Sequence, residues 1–495
     1  MMWSSHYPVL QVVLPMLMAP FIIMLRPARL AWLAATATSL LAFAVSVALV
    51  NLVNDSGAMS YPVGGWAAPY GIELRVDSLS ALMLLIVSGA SSLALLSSYR
   101  SLMTEIGEDR LSLFLSAWML VLAGLSGILV AADAFNIFVF MEIASLASYV
   151  LVSGGGDRRA LPTVFKYLVM GTLGATFYLI GVGLIYIMTG TLNLADMAIR
   201  IQDVQDPILF FAAAGFISVG LALKAAIFPL HAWLPNAYTF APHAVSVFLA
   251  ACSTKVALYV FFRVDFALFQ GNLGHHAEQF SLYLMPMALA AILYGSAMAI
   301  REPLVKRLFA WSSIAQIGYI ILGVSLLTEA SISAALLHMF NHALAKGALF
   351  VGVVALAAHT RSLSLQGIAG LGRNHPVIGT AIVLAGLSLV GIPGTAGFIS
   401  KWLLIEAIIE HQRFVIPLLA VVLISSLMAV VYIAKVAEAL FFADAPDPAA
   451  PSRVSAATAV LLIVVLANLF FGIAPQFPIG LAEQAAQLLL LGSAT

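Results

Sequence analysis

Apolar runs of about 20 residues recur from one end of this 495-residue chain to the other. A run of that length crosses the hydrocarbon of a bilayer as a helix, and lipid offers no other partner for a spanning backbone. Hydrophobic residues make up 62% of the chain and charged ones 9%, well outside the soluble globular range. Fourteen spans are expected, near 8–25, 30–53, 77–99, 111–131, 135–153, 161–189, 208–238, 243–262, 280–300, 307–328, 330–358, 377–410, 415–442 and 454–474. The fold class is therefore all-α integral membrane. The formal net charge is zero, which gives no reason to expect nucleic acid as a partner. The single cysteine, Cys252, excludes an internal disulfide. The N-terminus lacks a basic segment ahead of its first apolar run, so that run reads as a retained helix.

Connections alternate in charge. One side carries Arg26, Arg29, Arg100, Arg110, Arg158, Arg159, Arg301, Lys306, Arg307, Arg361, Arg373 and Arg453; the other carries Arg75, Arg200, Arg263 and Arg413. The positive-inside rule then places both termini outward.

The cations inside the spans are selective. Of seven lysines, six fall within apolar runs (Lys166, Lys224, Lys255, Lys346, Lys401 and Lys435), whereas all fifteen arginines fall in connections or at span ends. A cation at mid-bilayer costs roughly 3 kcal/mol on lenient scales. Lysine can release its proton when desolvated and arginine cannot, so this placement points to proton movement.

Two spans are interrupted. The seventh breaks at Pro229 and the twelfth at Gly391-Ile392-Pro393-Gly394. Proline has no amide hydrogen, so the carbonyls of Ala225 and Leu389 lose their helical donors. Broken helices five spans apart suggest inverted repeats, spans 4–8 and 9–13, around an ion path. Lys224 precedes the first break by five residues and Lys401 follows Pro393 by eight. The expected division is 1–110 (helices 1–3), 111–262 and 280–442 (the two repeats) and 454–495 (helix 14 and a tail).

Glu142 is the one carboxylate well inside span 5, and Lys224 is its natural partner, either in a proton path or in a salt bridge that holds the bundle. Lys255, in VFLAACSTKVALYVFF, lies too deep to reach an interface. His338, His342 and Lys346 recur every four residues along one face of span 11, with Asn341 beside them. That stripe suits a water-assisted relay or helix packing. Two histidines at this spacing can also bind metal, but no third ligand is evident, so no metal is expected. His231, beside Pro229, can couple the broken helix to the central path. Glu406 and Glu410 on the outer part of span 12 either line an exit or face outward without a role. Lys166 is expected to reach an interface, and Lys435 to pair with Glu438. Gly154-Gly155-Gly156 follows no strand and lacks the lysine of a phosphate loop. His275-His276 is the faint candidate for an enzymatic site.

Four segments in order carry a resemblance: LKAAIFPLHAWLPNAYTFAPHAVSVFLAACSTK (223–255), SSIAQIGYIILGV (312–324), FNHALAKGALF (340–350) and GIPGTAGFISKW (391–402). They resemble the proton-conducting antiporter-like family, which includes large membrane subunits of complex I, of membrane-bound hydrogenases and of Mrp-type antiporters. The resemblance implies fourteen helices with two inverted repeats and broken helices 7 and 12. It also implies a proton pathway of Glu142, Lys224, Lys255, His338, His342 and Lys401; the residue patterns above add His231, Lys346, Glu406 and Glu410 as accessory candidates. Lys401 and the chain length look most like the D-type member of Mrp antiporters. Gly394 and Asn236 depart from the residues many relatives carry there, proline and aspartate, and neither belongs to the ionisable set. The expected function is proton translocation in a multisubunit Na+/proton antiporter, with K+ or Li+ as other cations, or in a redox-driven pump. Partners are then other membrane subunits and the lipid of the plasma membrane, and no cofactor is implied.

Overall fold

The computed structural model describes residues 4–204, 207–270, 275–444 and 455–490, with the side chains of 270 and 275–281 excepted. Among these, thirteen helices are long and apolar enough to cross a membrane. They are α1 (Tyr7–Met24), α2 (Ala28–Ser56), α3 (Ser78–Glu105), α4 (Glu108–Val130), α5 (Ala134–Ser153), α6 (Ala160–Thr189), the first half of α7 (Pro207–Ala225), α8 (His243–Val264), α9 (His275–Arg301), α10 (Val305–Ser325), α11 (Glu329–Ala357), α13 (Val415–Phe441) and α14 (Ala456–Ile473). The second half of α7 is Leu234–Phe240. The fourteenth span, α12, is made of two shorter helices, Pro376–Val390 and Ala396–His411. Both interruptions fall where proline and glycine placed them.

The chain departs from the all-helical expectation outside the spans. A hairpin of β1 (Met59–Pro62) and β2 (Glu73–Val76) pairs antiparallel, with Met59 opposite Val76. Residues expected as a tail form a further helix, α15 (Gln476–Leu490), whose Ala482, Ala485 and Ala486 are fully buried. It packs on α3 and α11. Alanine at these positions allows the close approach that turns a short, weakly apolar segment into a packed helix. Arg453 lies outside the described residues.

Burial sorts the helices. α10 and α11 are enclosed almost completely, while α1, α6, α13 and α14 leave wide apolar faces exposed. The enclosed helices also carry the polar residues, because only protein can satisfy them there. Close packing depends on glycine at the α6–α7 crossing: a Cβ on Gly220 would lie 2.5 Å from the Gly174 carbonyl oxygen. That approach brings Lys224 of α7 against α5.

One ion pair ties the start of α3 to the end of α8. Asp77 caps α3, accepting from the Ser80 amide at 3.0 Å, and receives two bonds from Arg263 at 2.6 and 2.8 Å. Arg263 is not the exposed connection residue that its place at a span end suggests; the guanidinium is mostly covered and lies over the Tyr259 ring. Burial raises the Asp77 carboxyl, but the guanidinium and the cap bonds outweigh it and bring the group down to about 2. A lowered carboxylate contributes stability above its unfolded value near 4, and loses it only as pH falls toward 2. Asp77→Asn should therefore lower the thermal stability of the detergent-solubilised protein equally at pH 5 and pH 8. Removing one partner of a buried pair costs about 3–5 kcal/mol, so a loss of several degrees is expected.

Candidate functional site

The first group of titratable residues forms where α5 meets α7. Lys224 Nζ donates to Ser145 Oγ at 2.7 Å and to Glu142 Oε1 at 3.4 Å. Ser145 lies one helical turn after Glu142, so both face the lysine. The Lys224 side chain is 9% exposed and that of Glu142 25%. The break in α7 is closed by protein: Trp233 Nε1 donates to the Leu223 carbonyl at 2.9 Å, and the Ile227 amide to Ala222 at 3.0 Å. Trp233 stacks in turn on Tyr167, ring centroids 4.4 Å apart. A cavity of about 40 Å3 adjoins the pair, lined by Ser145, Ser148, Tyr167, Lys224 and Ser253 among others. That is room for a few waters, with hydroxyls to hold them. Ser253 belongs to α8, two residues before Lys255.

Lys255 is fully buried and donates to its own helix, at the Ala250 carbonyl, 2.6 Å. It lies within electrostatic reach of His338, His342 and Lys346. The three residues of α11 stand on one face, as their spacing required. His338 bridges two helices: Nδ1 faces Ser400 Oγ at 2.8 Å and Nε2 faces Gln316 Oε1 at 2.9 Å. An acceptor at Nε2 and a hydroxyl at Nδ1 suit a neutral ring protonated on Nε2. His342 stacks parallel to His338 at 6.2 Å, and neither of its ring nitrogens has a partner among the described residues. Lys346, expected as an accessory, is as deeply buried as Lys255 and donates to Phe309 O at 2.6 Å and Ser312 Oγ at 2.5 Å.

Lys401 closes the break in α12. Its Nζ donates to the carbonyls of Leu389 and Val390 at 2.8 and 3.1 Å, and to Ser426 Oγ at 3.3 Å. Leu389 is the carbonyl that Pro393 deprives of a helical donor. The ammonium also lies 4.6 Å from the centre of the Tyr319 ring, a cation–π contact. Gly391 (φ +89°) makes the bend, and a side chain there would meet Lys401 Cδ at 2.9 Å. Asn341 of α11 holds the start of the second half-helix, donating to Ala396 O at 2.7 Å.

The remaining candidates separate from this line. His231 is packed among Phe228, Tyr294 and Trp311, linking the α7 break to α9 and α10. Glu406 and Glu410 are exposed on the second half of α12, and Glu406 accepts from Trp402 Nε1 at 2.7 Å. Lys166 is exposed on α6. Lys435 donates to the Ile300 carbonyl at 2.5 Å rather than pairing with Glu438. An unsatisfied α9 terminus outcompetes the neighbour three residues away. The side chains of His275 and His276 lie outside the described residues. Ser145, Ser400, Ser312 and Gln316 are partners that the sequence reading overlooked; the last two stand in the motif SSIAQIGYI, and Ser145 follows Glu142 by one turn. No group of three or more metal-binding side chains is brought together among the described residues.

Residues 131–429, which hold nearly all of these groups, match the transmembrane family of NADH:quinone oxidoreductases and Mrp antiporters. The chain belongs to that family. It is 37% identical over 451 residues to the N subunit of the NADH-quinone oxidoreductase of Desulforudis audaxviator, covering 90% of this chain and 89% of that protein. It is 32% identical over 491 residues to the D-type Na(+)/H(+) antiporter polypeptide of Bacillus subtilis, covering 98% and 97%. A chain of the Mrp complex from a Dietzia species superposes with a TM-score of 0.89 at 26% identity, over 99% of this chain and 98% of that one. This multi-pass family member thus has antiporter-like subunits as relatives along nearly its full length.

Glu142→Gln is expected to reduce proton exchange at least tenfold, while Glu142→Asp keeps a measurable part. The amide still bonds Lys224 but cannot take up a proton. Equal exchange by the two variants in vesicles would show that Glu142 does not titrate.

Proposed function

We propose that this chain translocates protons within a multisubunit monovalent cation/proton antiporter of the plasma membrane. Protons are taken up near Glu142 and Lys224, pass Lys255 and the His338/His342 stripe, and leave near Lys401. The observation that carries this reading is the Lys255–Lys346–Lys401 set. All three are buried, and their hydrogen bonds among the described residues go to carbonyl and hydroxyl oxygens. A salt-bridged scaffold would pair such cations with carboxylates. Lysines so placed act on one another through a low-dielectric interior, so a proton arriving at one favours release from the next. At each transfer an ammonium N–H bond breaks as a water O–H bond forms, and the reverse occurs at the next amine.

The finer assignments belong to this reading. Residues 111–262 and 280–442 serve as two repeats, each with a broken helix and a lysine beside it. The arginine-rich connections face inward and the termini outward, by the positive-inside rule. The exchanged cation is Na+, or K+ or Li+ in its place, and other membrane subunits are partners, as the names of the relatives suggest. A second reading, a proton-pumping subunit of a redox complex, is favoured by the relative named for a NADH-quinone oxidoreductase. Copurification separates the two: small membrane partners support the antiporter, cofactor-bearing subunits the pump.

Lys401→Arg tests the relay directly. Arginine keeps the charge and can still donate to the carbonyls of the α12 break, but holds its proton. The variant should assemble normally and lose most cation-dependent proton exchange in everted vesicles. Near-normal exchange across pH 7–9 would rule out Lys401 as an obligatory carrier.

A further inference from the structure

The seventh lysine, Lys306, reads in the sequence as part of a charged connection, yet the structure buries it in the first turn of α10 at 4% exposure. Its Nζ donates to Ala241 O at 2.6 Å and lies 3.5 Å from His243 Nδ1. The His243 amide donates to Glu105 Oε2 at 3.0 Å, and Ser101 also donates to the Glu105 carboxylate. Glu105 and Lys306 lie within electrostatic reach of each other. Three helix ends, those of α3, α8 and α10, thus converge on a carboxylate, an imidazole and an ammonium.

Glu105 and His243 of this cluster line a cavity of about 520 Å3, together with Tyr99, Arg100, Thr104 and Ser455 among others, and Lys306 stands behind them. The cavity is more than ten times the volume of the one beside Lys224, and it opens among helix ends that carry the arginine-rich connections. From Lys306 the polar atoms continue inward along α10. Phe309 is one turn on, and its carbonyl, with Ser312 Oγ, receives Lys346. Lys346 is within electrostatic reach of Lys255 and His342. Every residue of α10 except Arg307 is buried, so this row is enclosed by protein.

We infer that the Glu105–His243–Lys306 cluster is a second proton inlet, admitting protons from the arginine-rich face to the central line through Lys346. This rests on the proton-translocating reading above. Glu105 receives a proton from cavity water as a water O–H bond breaks and a carboxyl O–H forms. Lys306, once its own proton has moved inward, is reprotonated from Glu105 through water or His243. Other charges bear on the cluster: Arg100 on the cavity wall, Asp157 acting on Lys306, and the Glu302–Arg307 pair at 3.5 Å beside the start of α10. The plainer role, a staple holding three helix ends, makes no use of the cavity.

The test uses the assembled complex in vesicles. Thr104 lines the cavity and is exposed, so Thr104→Cys should exchange normally until a bulky membrane-impermeant maleimide is added from the arginine-rich face. Labelling should then reduce exchange at least tenfold. The wild type, whose Cys252 is fully buried, should be unaffected. Glu105→Gln should lose at least tenfold, with Glu105→Asp recovering part. Exchange retained after complete labelling, absence of labelling from that face, or normal exchange by Glu105→Gln would each overturn the inlet. Lys401→Arg runs alongside. If it is inactive while Glu105→Gln exchanges normally, the inlet alone fails; if it too exchanges normally, the translocation reading fails with it.

Discussion

A backbone carbonyl in hydrocarbon has no water to bond, and the site is organised around that constraint. Pro393 strips a donor from Leu389, and the bend at Gly391 turns the chain away from Val390. Leaving a buried carbonyl unpaired costs about 1–3 kcal/mol. A lysine ammonium at this depth costs roughly 3 kcal/mol alone. Lys401 brings the two together, donating to both carbonyls and facing the Tyr319 ring. Hydrogen bonds to charged groups contribute about 1.5–3 kcal/mol each, so the two penalties offset one another. The atom that repairs the broken helix is the atom proposed to move a proton. That dual use ties proton movement to the shape of α12.

The same logic extends to the other break, with a different repair. At α7 the indole of Trp233 takes the Leu223 carbonyl, which leaves Lys224 free to reach across to Ser145 and Glu142. Between the two breaks the polar atoms are held by α8, α10 and α11, all among the most enclosed helices. His342 has two ring nitrogens without partners among the described residues, beside a histidine that has both satisfied. A buried, unsatisfied imidazole is costly as scaffold and useful as an acceptor for a passing proton.

Much of this was legible in the sequence because lipid allows few solutions. Span length, the two breaks and the depth of Lys224, Lys255 and Lys401 follow from periodicity and proline chemistry. The stripe of His338, His342 and Lys346 follows from a four-residue repeat. What stayed hidden depends on tertiary contact. Nothing local shows that Lys306 turns inward at the first turn of α10, since a lysine there equally well marks a charged connection. Arg263 likewise sits at a span end, and its burial depends on Asp77, 186 residues away. The α15 helix has small residues on its buried face and too little apolar length to read as a span. Spacing pairs Lys435 with Glu438, but the free carbonyl of Ile300 on another helix claims it.

Buried lysines carry the protons in this account, and Lys255 is the residue on which the two halves of the path converge. The most direct measurement compares wild type and Lys255→Ala in vesicles, recording dissipation of a pH gradient together with recovery of the assembled complex. Lys255 is fully buried and bonds only Ala250 among the described residues, so its removal should abolish transport while the complex is recovered at the wild-type level. Normal transport by a normally assembled Lys255→Ala complex would contradict the account.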